Sequence, residues 1–393
     1  MLILACSAAA EPFEYMIALT RQDVSMDWWY AVPQPFAPEI NQISRVAKGE
    51  YFRIIPFFKN YGIDTNGNAN ITFDFELVRP DGSINESIKG CAGHDGKASV
   101  SELIPSHAVL NLCFDSEDPY GEYTINVTAY DHVSSLTNRQ TVVIEQNKYS
   151  VYKMTEAVQE ELFLTYAAVP SPSRALSSFL QTEHSFFTEE NEPIWSAIWF
   201  YKTIFENNDY LIPHLLEGFP SASLKHQRDT ILVLALMNKT DKLPKLSGEL
   251  KAIQRVMESG RIPDPYDDIM TGKQIDMLWA EYFATGTIKP IRQLVTSLNL
   301  ADYLGTLEKI KTGELDSDQL EVYRAGMLEA TFQSALWSLR ANCKQSPLLF
   351  HYCVGILNSE ELEKTAQSCL GMLLQSVAEV TSAKSDSKKE GTP

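Results

Sequence analysis

Between residues 50 and 148 apolar side chains recur at every second position. The run Ile71-Thr72-Phe73-Asp74-Phe75-Glu76-Leu77-Val78 alternates cleanly. A pleated strand turns successive side chains to opposite faces, so the pattern predicts a strand with one buried face. Arg79-Pro80-Asp81-Gly82-Ser83 follows it as turn chemistry, with proline presetting φ and glycine accepting positive φ. Upstream, Asn66-Gly67 predicts a tight turn between strand-like runs at 51–58 and 71–78. Later strands are predicted over 122–131, entered through Asp118-Pro119-Tyr120-Gly121, and over 139–145. Several short strands separated by turns predict a β-sandwich.

The rhythm changes after residue 149, where apolar positions begin to recur every three or four residues. Helices are predicted over 151–167, 173–181, 192–206, 209–217, 222–238, 244–258, 272–285, 288–298, 317–342, 346–357 and 359–379. Thr271-Gly272-Lys273-Gln274 reads as a capping box, with Met270 and Ile275 as its hydrophobic staple. Gly286 supplies a left-handed helix end, and Pro290 fits the first turn of the next helix. Residues 276–298 therefore read as a helical hairpin. Its inward stripe is Ile275, Leu278, Trp279, Tyr282, Phe283, Ile291, Leu294, Val295 and Leu298. A second pair over 194–236 packs Trp195, Ile198, Trp199, Ile204 and Phe205 on Leu232, Leu234 and Leu236. Short helices in succession predict an all-α array of stacked hairpins, although no fixed repeat length emerges. Residues 381–393 lack apolar anchors and are expected to be a disordered tail. The apolar run at 231–237 falls well short of the ~20 residues needed to span a bilayer, and reads as a buried helix.

Composition narrows the picture. The chain has 393 residues, 44% of them hydrophobic and 21% charged. That is globular composition, enough for two or three domains at roughly 100–200 residues each. The net charge is −18, shared equally between residues 1–150 and the remainder. No basic face stands out, and a nucleic-acid backbone or an anionic lipid surface would be repelled.

Two stretches carry resemblances. Ile3-Leu4-Ala5-Cys6, followed by small residues, resembles a bacterial lipobox, although the basic start of a secretory signal is missing. The resemblance implies that Cys6 is lipidated and becomes the mature N-terminus. Gly121-Glu122-Tyr123 resembles the tyrosine corner of immunoglobulin-like sandwiches. It implies a phenol that hydrogen-bonds the backbone just upstream. Ile125 stands where that family places a cysteine, so its inter-sheet disulfide does not transfer. Together with the Pro80-Asp81-Gly82-Ser83 turn, these stretches are similar to bacterial exported proteins that set an immunoglobulin-like module ahead of a helical domain. The expected organisation is a signal remnant over 1–12, an immunoglobulin-like sandwich over 13–148, an α-helical domain over 149–380 and the tail.

Candidate chemistry is sparse. Asp264, Asp267 and Asp268, followed by Asp276 and Glu281, form the densest carboxylate cluster. Paired carboxylates serve acid–base chemistry when their surroundings split their pKa values. Turn formation and a helix N-terminus explain the same residues more simply. Cys91 and Cys113 lie within the β region, where an oxidising compartment would let them bridge; the alternative is two buried thiols. Of Cys343, Cys353 and Cys369, at most one pair can bridge. Asp64, Asn66 and Asn68 open like an EF-hand. However, Ala69 and Phe75 occupy its glycine and glutamate positions, so a polar turn is expected. Trp28-Trp29-Tyr30 among prolines is either a recognition strip or an internal plug. No histidine spacing supports a metal, and no cofactor motif is present. The expected function is non-catalytic: an envelope-associated, periplasmic or surface-exposed scaffold for a protein or peptide, with attachment through Cys6. The alternatives are a hydrolase using the Asp264–Asp276 carboxylates, and a cytoplasmic adaptor.

Overall fold

A computed structural model describes residues 12–22, 29, 36, 39–98, 103–115, 117–148, 152–181, 194–246, 248–259, 264–269, 271–315, 318–359 and 362–389. They fall into two compact units. Described residues up to Trp29 and from 39 to 148 form a β unit; Phe36 and residues from 152 onward form a helical unit.

Nine strands run through the described part of the β unit: β1 (Glu14–Thr20), β2 (Arg45–Ala47), β3 (Phe52–Lys59), β4 (Asn68–Val78), β5 (Ile84–Lys97), β6 (Ile104–Pro105), β7 (Leu110–Leu112), β8 (Gly121–Asp131) and β9 (Leu136–Asn147). One sheet has β3 at its centre, flanked by β1 on one side and by β6 and β7 on the other. The second runs β2-β9-β8-β4-β5, with β2 parallel to β9 and every other pair antiparallel. Period-2 sidedness does what it should. Ile71, Phe73, Phe75 and Leu77 are buried, and register sets Phe73 opposite Ala129 and Phe75 opposite Val127. They meet Tyr15, Ile17, Phe52, Ile54 and Phe58 from the other sheet in one cluster. β3 is apolar on both faces because both are covered. Ile55 and Phe57 on its far side pack with Ala18 and Trp29, the Trp29 ring lying 4.8 Å from that of Phe57.

Three details of this unit depart from the sequence reading. The turn at Asn66-Gly67 exists, with Gly67 at φ 79° and the Asp64 carboxylate accepting the Asn66 and Asn68 amides at 2.8 Å. However, the strands it separates are not partners, since β3 and β4 lie in different sheets. A tight turn sets chain direction locally. The ladder is chosen by matching faces, and β4 finds its match in β5 and β8. Second, Gly93-His94-Asp95-Gly96, whose two glycines suggest a loop, belongs to the 14-residue strand β5. Gly93 marks a bulge rather than a break, and Gly96 pairs with Ala69 in the ladder. Third, no disulfide joins Cys91 and Cys113. Cys91 is on β5, paired with Phe73, whereas Cys113 follows β7, which ladders onto β3. The sheets hold the two cysteines on separate ladders.

The Gly121-Glu122-Tyr123 entry behaves as expected. The fully buried Tyr123 donates its hydroxyl to the Pro119 carbonyl at 2.9 Å. Burial and the nearby Asp118 charge push this phenol up to about 12.

The helical unit comprises α1 (Glu156–Thr165), α2 (Pro172–Gln181), α3 (Trp195–Asn207), α4 (Ile212–Glu217), α5 (Leu224–Leu236), α6 (Gly248–Ser259), α7 (Gly272–Thr285), α8 (Lys289–Thr296), α9 (Thr306–Lys311), α10 (Gln319–Gln345), α11 (Pro347–Leu357) and α12 (Lys364–Lys389) among the described residues. The expected punctuation is present around α7. The Gln274 side chain accepts the Thr271 amide at 3.2 Å, and Gly286 ends the helix at φ 69°, its amide on the Tyr282 carbonyl at 2.7 Å. Met270 of the expected staple lies outside the described residues.

α7 and α8 pack as the sequence implies, and Ile275, Leu278, Trp279, Ile291, Leu294, Val295 and Leu298 are all buried in one cluster. The hairpins do not stack in chain order, however. α3 packs principally along α7 rather than α5, and α10 touches α7, α8, α11 and α12. The reason is that α7 buries Met277, Ala280 and Ala284 as well as Ile275, Leu278 and Trp279 of its inward stripe, so more than one side of it is covered. Such a helix belongs at the centre of a bundle. Two further corrections concern local structure. α9 forms where no helix was expected, and α12 continues through Lys389, where a disordered tail was expected. Once a helix exists each further residue adds a backbone hydrogen bond, so it can extend without apolar anchors.

Candidate functional site

The carboxylate cluster is taken apart by the fold. Asp264, Asp267, Asp268 and Asp276 are all exposed. Asp264 Oδ1 accepts the Tyr266 amide at 2.8 Å, which is turn work. The Gln274 side chain ties the loop down, donating to the Asp264 and Asp268 carbonyls at 2.9 and 3.2 Å. Desolvation pushes the Asp276 carboxyl upward, with no charged neighbour contributing, and its exposure discounts that push. Acid–base pairs split their pKa values through mutual repulsion, and here no second carboxylate acts on Asp276.

The carboxylate that the structure singles out is Glu281, on α7. Its Oε1 accepts the Tyr266 hydroxyl at 2.5 Å and its Oε2 accepts Trp199 Nε1 at 3.2 Å. Lys289 Nζ stands 3.9 Å from the Tyr266 ring centroid, and Lys202 Nζ stands 4.7 Å from that of Trp199. One carboxylate thus joins α3, α7 and the 264–269 loop, with a cation over each aromatic partner. Glu281 could be named from sequence only as a late member of the acidic run. Its partner Trp199 is 82 residues away and carries no local signal.

The Tyr266 phenol is pushed above its ordinary value of 10.0, first by burial and then by the Glu281 hydrogen bond and charge. A raised folded-state value means a stabilising contribution that is intact below pH 10 and lost as pH climbs through the folded value. Exchanging Glu281 for glutamine removes the charge. The Tyr266 contribution to tyrosinate absorbance, defined by subtracting a Tyr266→Phe titration, is expected to appear at lower pH in Glu281→Gln than in the parent. An unchanged titration would mean that burial alone sets this phenol.

Two surfaces remain. A cleft of about 270 Å³ in the helical unit is lined by Phe179, Leu180, Leu215, Phe219, His226 and Thr230. The 27-residue helix α10 carries Leu320, Tyr323 and Trp337 at 72, 66 and 73% exposure. At 3.6 residues per turn these positions share one side of the helix, along with half-buried Met327. Arg340 and Lys344, also exposed, stand one and two turns beyond Trp337. Of the expected recognition strip, Trp29 is half-buried against Phe57; Trp28 and Tyr30 lie outside the described residues, as does Cys6. Among the described residues, no group of three His, Cys, Asp or Glu side chains is placed to hold a metal, and no helix is long and apolar enough to cross a membrane.

No family model matches the chain, and no curated protein matches it. Among solved structures, the chain is similar to one reported in a study of glycolipid glycan hydrolysis by a family 123 glycoside hydrolase from Clostridium perfringens. That similarity runs at 8% identity and a TM-score of 0.20, over 50% of this chain and 36% of that one. The chain thus spans about a third of that hydrolase's length, and a likeness this slight carries no argument about fold or activity.

Proposed function

We propose that this chain is a non-catalytic binding or scaffold protein of a bacterial envelope, and that the outer side of α10 receives its protein or peptide partner. The observation that carries the reading is the exposure of Leu320, Tyr323 and Trp337 along one helix side. Leu320 and Tyr323 lie one turn apart and Trp337 about 20 Å further along the same side, and tryptophan and tyrosine are the usual anchors of protein interfaces. Arg340 and Lys344 add positive charge beside Trp337 on a chain of net charge −18. The partner chemistry that fits is an apolar segment flanked by acidic residues. The envelope assignment and the attachment through Cys6 are supported by the Ile3-Leu4-Ala5-Cys6 stretch.

In this reading the β unit is an immunoglobulin-like sandwich acting as a stalk or docking module. Two observations support it: the division of strands into a β1-β3-β6 sheet, with β7 also on β3, and a β2-β9-β8-β4-β5 sheet, and the Tyr123–Pro119 hydrogen bond at the start of β8.

The test is the double variant Tyr323→Asp, Trp337→Asp. Surface substitutions outside packed sites shift stability by about 0.5 kcal/mol or less, so its melting should match the parent. A partner that copurifies with the parent from envelope fractions should be lost. Equal recovery of that partner, or early melting of the variant, rejects the α10 surface. Mass spectrometry of the native N-terminus tests the envelope assignment separately, and an unlipidated chain free in the cytosol rejects it.

A further inference from the structure

The helical unit holds a pair of neighbouring thiols. Cys343, in the last turn of α10, and Cys353, on α11, are both buried, with their sulfurs 3.7 Å apart. The corner between the helices is tightly built. Ser346 caps α11 by accepting the Leu349 amide at 3.2 Å, and Pro347 opens the helix. Leu339, Leu349, Ile356 and Leu370 belong to the same cluster as the two cysteines. The third cysteine of the region, Cys369, is half-buried on α12.

From this geometry we propose that Cys343 and Cys353 are a disulfide-forming pair that staples the α10–α11 corner when the chain folds in an oxidising compartment. A disulfide needs sulfurs about 2 Å apart, so the pair must close by roughly 1.7 Å. The hydrogen bond with the Cys343 thiol, and then burial, push the Cys353 pKa well up, so few thiolates form once the corner is packed. The reaction therefore belongs to folding, before α11 docks. One cysteine thiolate attacks a sulfur of a low-molecular-weight disulfide such as glutathione disulfide and expels one glutathione thiolate. The second cysteine thiolate then attacks the protein sulfur of the mixed disulfide and expels the other. Two electrons pass to glutathione, and the two cysteine protons pass to the departing thiolates or to solvent.

The experiment unfolds and reduces the full chain, refolds it with glutathione disulfide, blocks remaining thiols with iodoacetamide and maps tryptic peptides. Cleavage after Arg340, Lys344 and Lys364 separates the cysteines. The expected product is peptide 341–344 linked to peptide 345–364, lighter than the pair by two hydrogens, with Cys369 alkylated. Refolding under reductant should give both peptides alkylated and a lower melting midpoint than the linked form. Full alkylation of Cys343 and Cys353 in the oxidised sample, stable glutathione adducts, or linkage to Cys369 would each overturn the pairing. The same map made on natively purified chain, held with glutathione disulfide in sub-denaturing urea, gives an answer that does not depend on refolding yield. The result stands apart from the α10 binding surface, because neither cysteine is exposed there.

Discussion

Trp279→Ala is expected to lower the stability of the helical unit by about 3–5 kcal/mol and its melting midpoint by roughly 10 °C. Trp279 is buried on α7 with its ring 5.9 Å from that of Phe283, and its Nε1 donates to Ser338 Oγ on α10 at 2.9 Å. Truncation opens a cavity at the centre of the bundle and removes the donor that the buried Ser338 hydroxyl meets. The neighbours cannot collapse into the space, because α3 and α10 pack on the same helix. The change is informative because the hydrophobic clusters are separate. Every member of the Trp279 cluster lies in the helical unit, and every member of the Phe73 cluster lies in the β unit. Calorimetry should resolve two transitions, with Trp279→Ala moving one and Phe73→Ala moving the other. A single transition that shifts as a whole in either variant would show that the units do not melt independently.

The second large effect is expected at a glycine that looks dispensable in the sequence. At Gly93 an added Cβ would stand 2.7 Å from the Ile71 carbonyl oxygen, closer than real Cβ contacts come. The obstacle is backbone in a paired strand, so no rotamer relieves it. Register shifts between Ile71–His94 and Thr72–Ala92, which leaves Gly93 as the extra residue of a bulge. The bulge has a purpose. It turns the Gly93 and Ala92 carbonyls toward the segment after β6, where they accept the His107 and Ala108 amides at 2.7 and 2.9 Å. The edge strand of one sheet is thereby tied to the other sheet. Gly93→Val should destabilise the β unit by about 3 kcal/mol, combining overlap with strained hydrogen bonds. Denaturant unfolding followed by β-sheet circular dichroism measures it. A variant as stable as the parent would mean that the bulge can be spread along β5.

Residues 381–389 teach a modest point about helix ends. Patterning ended the last helix where apolar residues ran out, yet the backbone continues to Lys389. Propagation adds one hydrogen bond per residue once a helix exists, and needs no apolar face. The missed helix α9 makes the converse point. It has a single turn or so, opens after Gly305 at φ 76° and is too short for a period to show.

Sidedness along the chain was sufficient for the β-then-α division, the strands of alternating pattern and most helices; with the capping signals at Thr271 and Gly286 it gave the α7–α8 hairpin, and the Tyr123 hydrogen bond followed from the resemblance to a tyrosine corner. These are local matters: burying every second or every third to fourth residue, ending a helix at a glycine, or reaching a carbonyl four residues upstream. Only the tertiary structure decided which strands share a sheet, that α3 lies along α7, that Glu281 rather than the aspartates collects distant partners, and that Cys343 meets Cys353 while Cys91 and Cys113 stay apart. Each depends on which of several compatible apolar faces meet. That choice is made by the packing of the whole core, and a periodic pattern leaves it open.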